Sequence, residues 1–197
     1  MRHRILMSSV AVACIALAVP SCLFETRDAA NPGTGTTACT LESPGKFKVC
    51  MTSAVNEQKD ANYERTLSAT FIFSPTPADS LDQNFTGTDV YANWNKDREL
   101  AVLGTLFSES TKTTVDFGDL QTIINKNTFV RFRSSYTLEV ITPNDPSPPD
   151  TTTYKGVADI DVRNEGGQWK VSYWNEIETV PGFSTWGFLR GILGLRT

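Results

Sequence analysis

The spacing of apolar residues changes part-way along the chain. Up to about residue 107 it has a helical period, and from about 113 it has a period of two. Phe47, Cys50, Met51, Ala54 and Val55 recur three and four apart, which predicts a first helix over 46–57. Residues 61–67 continue as a second short helix, with Tyr63 and Leu67 one turn apart. Residues 70–73 form a short apolar strand, stopped by Ser74-Pro75. Thr76-Pro-Ala-Asp79 offers a capping hydroxyl, a proline at the first helical position and an acid two residues later, the start of a short helix. The strongest helix runs over 95–107. Asn95 can cap it, Asp97 and Glu99 suit its first turn, and Leu100, Leu103 and Phe107 form one stripe. Trp94 stands just before the cap, placed to staple back onto the helix.

Alternation then takes over. Residues 113–124 read as a strand with a kink near Gly118. In 129–141, Val130, Phe132, Ser134, Tyr136, Leu138 and Val140 share one face, and Arg131, Arg133, Ser135, Thr137 and Glu139 share the other. A proline-rich loop over 143–150 leads to a strand over 154–163, with Tyr154, Gly156, Ala158, Ile160 and Val162 on one face. Asn164-Glu-Gly-Gly167 makes a hairpin turn into a last strand over 168–178. Its alternation puts Trp169, Val171, Tyr173 and Ile177 opposite Lys170, Trp174, Glu176 and Glu178. Helices followed by a meander of antiparallel strands argue an α+β fold, with the helices on one face of a strongly curved antiparallel sheet.

The first 22 residues follow a different logic. Arg2 and Arg4 precede an apolar run over 5–19, and Pro20-Ser21-Cys22 follows. The run is about 15 residues, short of the roughly 20 that span a bilayer as a helix. This layout resembles a bacterial lipoprotein signal peptide. The resemblance implies that 1–21 is a leader, that Cys22 is acylated and becomes the mature N-terminus, and that the protein is held by lipid on a membrane of the cell envelope. An ordinary cleaved signal is the alternative. Residues 22–45, with Asn31-Pro-Gly-Thr-Gly-Thr-Thr37, are small, polar and turn-prone and read as a flexible tether. Residues 46–197 then form one domain, long enough to bury a core.

Processing of this kind changes the chemistry that remains. It takes His3, the sole histidine, and leaves 16 basic against 22 acidic residues, a net charge of −6. A chain of that charge has no electrostatic footprint for nucleic acid. Without histidine it has no Ser-His or Cys-His pair, no histidine base and no histidine-containing zinc or copper site. No cofactor or metal is expected. Cys39 and Cys50 remain in an oxidising compartment. A disulfide between them would tie the tether to the first helix, and two free thiols are the alternative.

A resemblance extends over most of 46–178. The strand Tyr154-Lys-Gly-Val-Ala-Asp-Ile-Asp-Val-Arg163, the Gly166-Gly167 turn and the following Trp169-Lys-Val-Ser-Tyr-Trp174 look like the closing hairpin of the nuclear transport factor 2-like superfamily. Tyr63-Glu-Arg-Thr-Leu-Ser-Ala-Thr-Phe-Ile-Phe-Ser-Pro75 resembles its helix leading into a first short strand, and Trp94-Asn-Lys-Asp-Arg-Glu-Leu100 the start of its third helix. The resemblance implies a cone: a bent sheet wrapped by helices around one pocket. Some members of that superfamily are isomerases, dehydratases or cyclases acting on small apolar substrates, and others only bind or dimerise. The scytalone dehydratase type uses histidine. The isomerase type uses an acidic base, a tyrosine and a second acid, and no residue here matches that set position by position. No catalytic residue is carried over.

Within such a cone Trp94, Tyr136 and Trp174 are the candidates for lining a pocket, with Trp169 beside them, and packing roles are the competing reading. Arg131 and Arg133 are expected to form cross-strand ion pairs with Glu139 or Glu176. Asp159 and Asp161 are expected on a solvated strand face. The apolar tail 183–195 groups Trp186, Leu189 and Leu193 on one helical face, widened by Phe188, Ile192 and Leu195. It is expected to cover a sheet face or the mouth of the cone, with a partner or membrane contact as the alternative. The expected function is a membrane-anchored, non-enzymatic module that binds a small apolar ligand or an envelope protein partner, or forms a homodimer. The alternative is a histidine-free envelope enzyme, isomerase- or cyclase-like.

Overall fold

The computed structural model describes residues 39–144 and 147–197. The leader 1–21, Cys22 and the tether as far as residue 38 lie outside the described residues. Four helices follow the predicted order: α1 (Lys46–Asn56), α2 (Asp60–Thr66), α3 (Pro77–Ser80) and α4 (Lys96–Glu109). Their starts obey the capping logic. The Thr76 hydroxyl accepts from the Asp79 amide at 3.0 Å, and the Asn95 side chain accepts from the Arg98 amide at 3.0 Å. Six strands form one sheet: β1 (Leu67–Ser74), β2 (Lys112–Phe117), β3 (Gln121–Lys126), β4 (Phe129–Thr142), β5 (Asp150–Glu165) and β6 (Gln168–Thr179). A fifth helix, α5 (Trp186–Gly194), closes the described chain.

The strand order is β1-β6-β5-β4-β2, with β3 also on β4. One expectation is corrected here: β1 runs parallel to β6, so the sheet is mixed rather than purely antiparallel. The strand expected over 113–124 is in fact two. β2 pairs with residues 136–141 of β4 and β3 with residues 129–133, one after the other along the same edge. The break is at Gly118, whose carbonyl accepts from the Lys48 ammonium of α1 at 2.8 Å. A side chain at Gly118 would collide with the Ser135 hydroxyl.

A third expectation is corrected at β6. Ser172 is an extra residue between the pairs Val171↔Val162 and Tyr173↔Asp161, and Ile177 is another between Glu176↔Ala158 and Glu178↔Val157. An extra residue reverses which side chains face the core. Trp169 and Val171 point inward before the first irregularity, and Trp174 and Glu176 point inward after it. Trp174 and Glu176 therefore lie on the same side as Trp169, against the strict alternation expected from the sequence.

The core lies between the helices and the inward face of the sheet. Phe47, Met51, Tyr63, Phe71, Phe117, Leu138, Ile160 and Trp174 are fully buried in it. The packed part reaches back to Cys39. Residues 39–45, grouped with the tether on composition, lie on the domain: Leu41 is buried and its carbonyl accepts from the Trp169 amide at 2.7 Å. Cys39 and Cys50 are joined by a disulfide, with their α-carbons 5.4 Å apart. The bond ties this segment to α1 across a separation of 11 residues. Closing so short a loop stabilises by about 2–3 kcal/mol. Cys39→Ser with Cys50→Ser is expected to lower the unfolding free energy by that amount in urea titrations. Reducing agent should then shift the midpoint of the unaltered protein and leave that of the double variant in place.

Candidate functional site

The interior of the cone is filled by α5, and the means by which α5 is held define the site. This helix is apolar on most of its surface and has no acidic residue in its first turn. Its free amides are satisfied by the rest of the domain. The Trp186 amide donates to the Tyr136 hydroxyl at 2.9 Å, and the Gly187 amide donates to Glu176 at 3.0 Å. The Phe188 amide donates to the capping Thr185 hydroxyl at 2.9 Å. That hydroxyl in turn donates to Asp79 at 2.8 Å, an acceptor it shares with Thr76. Glu176 thus supplies from β6 the negative charge that a helix N-terminus favours. Close approach needs glycine: an added β-carbon at Gly187 would lie 2.7 Å from the Glu176 carboxylate.

One turn further on, α5 inserts Arg190, which is 1% exposed. Its Nη2 donates to Glu99 Oε1 at 2.8 Å and its Nε to Glu99 Oε2 at 3.0 Å, a forked contact. Its Nη1 reaches Glu176 at 3.4 Å. Phe73, Trp186 and Trp174 cover the guanidinium, with ring centres 4.4, 4.5 and 4.8 Å from its carbon. Glu99 is held in place independently. The Tyr63 hydroxyl donates to it at 2.8 Å, and the Trp94 indole donates at 2.9 Å. Trp94 therefore does staple back onto α4, through a hydrogen bond rather than an apolar contact.

Burial sets the electrostatics. It pushes the Glu176 carboxyl up to about 7, against the pull of the Arg190 guanidinium. Burial also raises the Tyr63 and Tyr136 hydroxyls well above the usual phenol range, helped by Glu99 and Glu176 respectively. Burial works against the charge on Arg190, and the Glu99 carboxylate more than offsets it. Chemically, Glu176 is a proton acceptor poised near neutrality, and α5 covers it. The indole N–H of Trp174 is buried and finds no hydrogen-bond partner among the described residues.

The three residues named from sequence as pocket candidates are all here, as walls of a filled cage. Trp94 orients Glu99, Tyr136 caps α5, and Trp174 covers Arg190. Trp169 lies elsewhere, beside Leu41. The charged residues of β4 and β5 occupy the opposite face, and two expectations about them are corrected. Arg131 pairs with Asp161 at 2.5 and 2.8 Å, and Arg133 with Asp159 at 2.8 and 3.0 Å, rather than with Glu139 or Glu176. The strand register sets these partners directly opposite one another. Asp159 and Asp161 are consequently 8% and 6% exposed, covered by the arginines and not solvated. Sequence reasoning missed Arg190 and Thr185, and took Glu99 and Asp79 only as first-turn acids of their own helices. A usable signal existed for one of them: Arg190 is the sole charged residue in the apolar run 183–195.

Solved structures of similar architecture decide the fold. The Kfla4162 protein of Kribbella flavida matches with a TM-score of 0.57 at 11% identity, over 74% of this chain and 92% of its own. A candidate scytalone dehydratase from Novosphingobium aromaticivorans matches with a TM-score of 0.53 at 12% identity, over 69% and 81%. The fold is nuclear transport factor 2-like. A candidate aromatic ring hydroxylase from the same Novosphingobium species has it too, with a TM-score of 0.54 at 10% identity over 70% and 87%. No protein-family model matches this chain, and no curated protein does. At such identities the likeness brings the nuclear transport factor 2-like cone and no residue roles.

Two outcomes follow from the buried charges. Arg190→Ala leaves two carboxylates inside the cone without their cation, and is expected to destabilise by about 3–5 kcal/mol in chemical denaturation. Glu176 gains affinity for its proton on folding, from an ordinary 4.5 to about 7. Its contribution to stability is therefore complete below about 4.5 and lost as pH rises through about 7. Unfolding free energies measured across that window should fall with pH in the unaltered protein and flatten in Glu176→Gln.

Proposed function

We propose that this protein is a lipid-anchored lipoprotein of the bacterial cell envelope whose cone domain binds and does not catalyse. The observation that carries the second half is the filled interior: Trp186 and Arg190 stand where a cone would hold a substrate, and Glu99 and Glu176 are already paired. The first half is supported by the leader ending at Cys22, and by the disulfide, a bond that persists in oxidising compartments. The lipid makes the membrane the first partner, and the domain is then available to a small ligand, an envelope protein or a second copy of itself.

One observation favours a second reading, a histidine-free enzyme of isomerase or cyclase type. Glu176 is held near 7 with Tyr136 beside it, a base matched to neutral pH. Turnover of a small apolar substrate, abolished by Glu176→Gln, would overturn the binding reading. For the anchor, mass spectrometry of the membrane-extracted protein is expected to find acylated Cys22 as the mature terminus. Cys22→Ala should move the protein to the soluble fraction. An unmodified terminus would end the lipoprotein reading.

A further inference from the structure

We infer that the cone interior is a receptor for an alkylguanidinium group and that Arg190 is its built-in occupant, delivered by α5. This rests on the reading of the domain as a binding module and supplies the ligand class for it. The first support is that the cage is assembled without α5, apart from Trp186. Glu99 comes from α4, Phe73 from β1, and Glu176 and Trp174 from β6. Glu99 keeps its orientation through Tyr63 and Trp94, neither of which belongs to α5. One carboxylate that accepts a forked pair of N–H groups, a second that accepts one, and the aromatic faces beside them match a planar and weakly hydrated cation.

The second support is the attachment of α5. Residues 181–184, which lead into it from β6, are exposed, and the strap turns at Gly182 with φ +81. The contacts of Thr185 with Asp79, of Trp186 with Tyr136 and of Tyr91 with the Gly187 carbonyl would release together if the helix swung out.

Withdrawal alone would leave Glu99, fixed by Tyr63 and Trp94, without the cation it pairs with, which is unfavourable. Opening is therefore an exchange of one guanidinium for another, with no covalent change. Trp186 leaves with Arg190, one helical turn away. The ligand that fits carries an apolar, ring-sized group at about that distance from its guanidinium.

Two measurements on the full chain test this. In Arg190→Ala, ethylguanidinium at about 10 mM, far below denaturing concentrations, should raise Tm by about 3–6 °C. That is the shift a roughly tenfold excess over Kd gives a domain of this size. Ethylurea, the neutral isostere, should give none, and a rise no larger than that with ethylurea overturns the inference. In the unaltered protein, saturating phenethylguanidinium should speed amide exchange across 189–193 about tenfold relative to β4. Unchanged or slower exchange there makes Arg190 a permanent structural residue and overturns the inference even where Arg190→Ala does not fold. Neither failure touches acylation at Cys22 or supplies turnover, so the binding and anchor readings stand or fall separately.

Discussion

The guanidinium of Arg190, held between Glu99 and Glu176, is the contact on which the interior of the cone depends. It joins α5, α4 and β6 at one point, and the rings of Phe73, Trp174 and Trp186 are arranged around it. Burying such a group is unfavourable by itself. An apolar replacement of similar volume would often be as stable. What the charge adds is position. An apolar helix against an apolar wall has several rotations of similar energy, whereas a forked contact to Glu99 permits one. The same rotation brings Gly187 over Glu176 and Trp186 under Tyr136, so the cap and the ion pair reinforce each other.

The arrangement depends in turn on two irregularities in β6. Ser172 and Ile177 are the extra residues, and they bracket Trp174 and Glu176. Without the first, strict alternation would turn both side chains to the outer face, where Tyr173 and Asn175 now stand beside Asp161 and Asp159. The ion pair would lose one carboxylate and the cage one wall. Irregularities of this kind re-aim side chains near functional sites, and here they admit a carboxylate to the concave side of the sheet.

This explains what could be read from the sequence. Element order, the caps at Thr76 and Asn95 and the inward face of β4 follow from local spacing, which operates within a few residues. The inward turn of Trp174 does not, because an extra residue in β6 is visible only against its partner β5. The parallel pairing of β1 with β6 is hidden for the same reason, since nothing in 67–74 records which edge it joins. Glu99 was legible as a favourable first-turn acid on α4, and that local explanation obscured its long-range partner 91 residues away. Arg190 is a lone charge in 183–195 and was passed over there, because its role required knowing that α5 enters the cone.

The two sets of arginine–carboxylate pairs show why location decides their meaning. On the outer face Arg131 and Arg133 are themselves about a third exposed, with side-chain values of 32% and 40%. Water screens such pairs, and each contributes little to stability. Their effect is to align β4 and β5 and to keep Asp159 and Asp161 covered. Inside the cone the same chemistry is dry, and neither partner can be removed without leaving the other buried and unpaired. A ligand that displaces Arg190 must therefore supply a positive charge to Glu99, the carboxylate that holds the forked contact. A neutral apolar molecule cannot do that, however well it fits the rings. The restriction follows from charge alone, and it sets this cone apart from one whose pocket is lined only by apolar side chains.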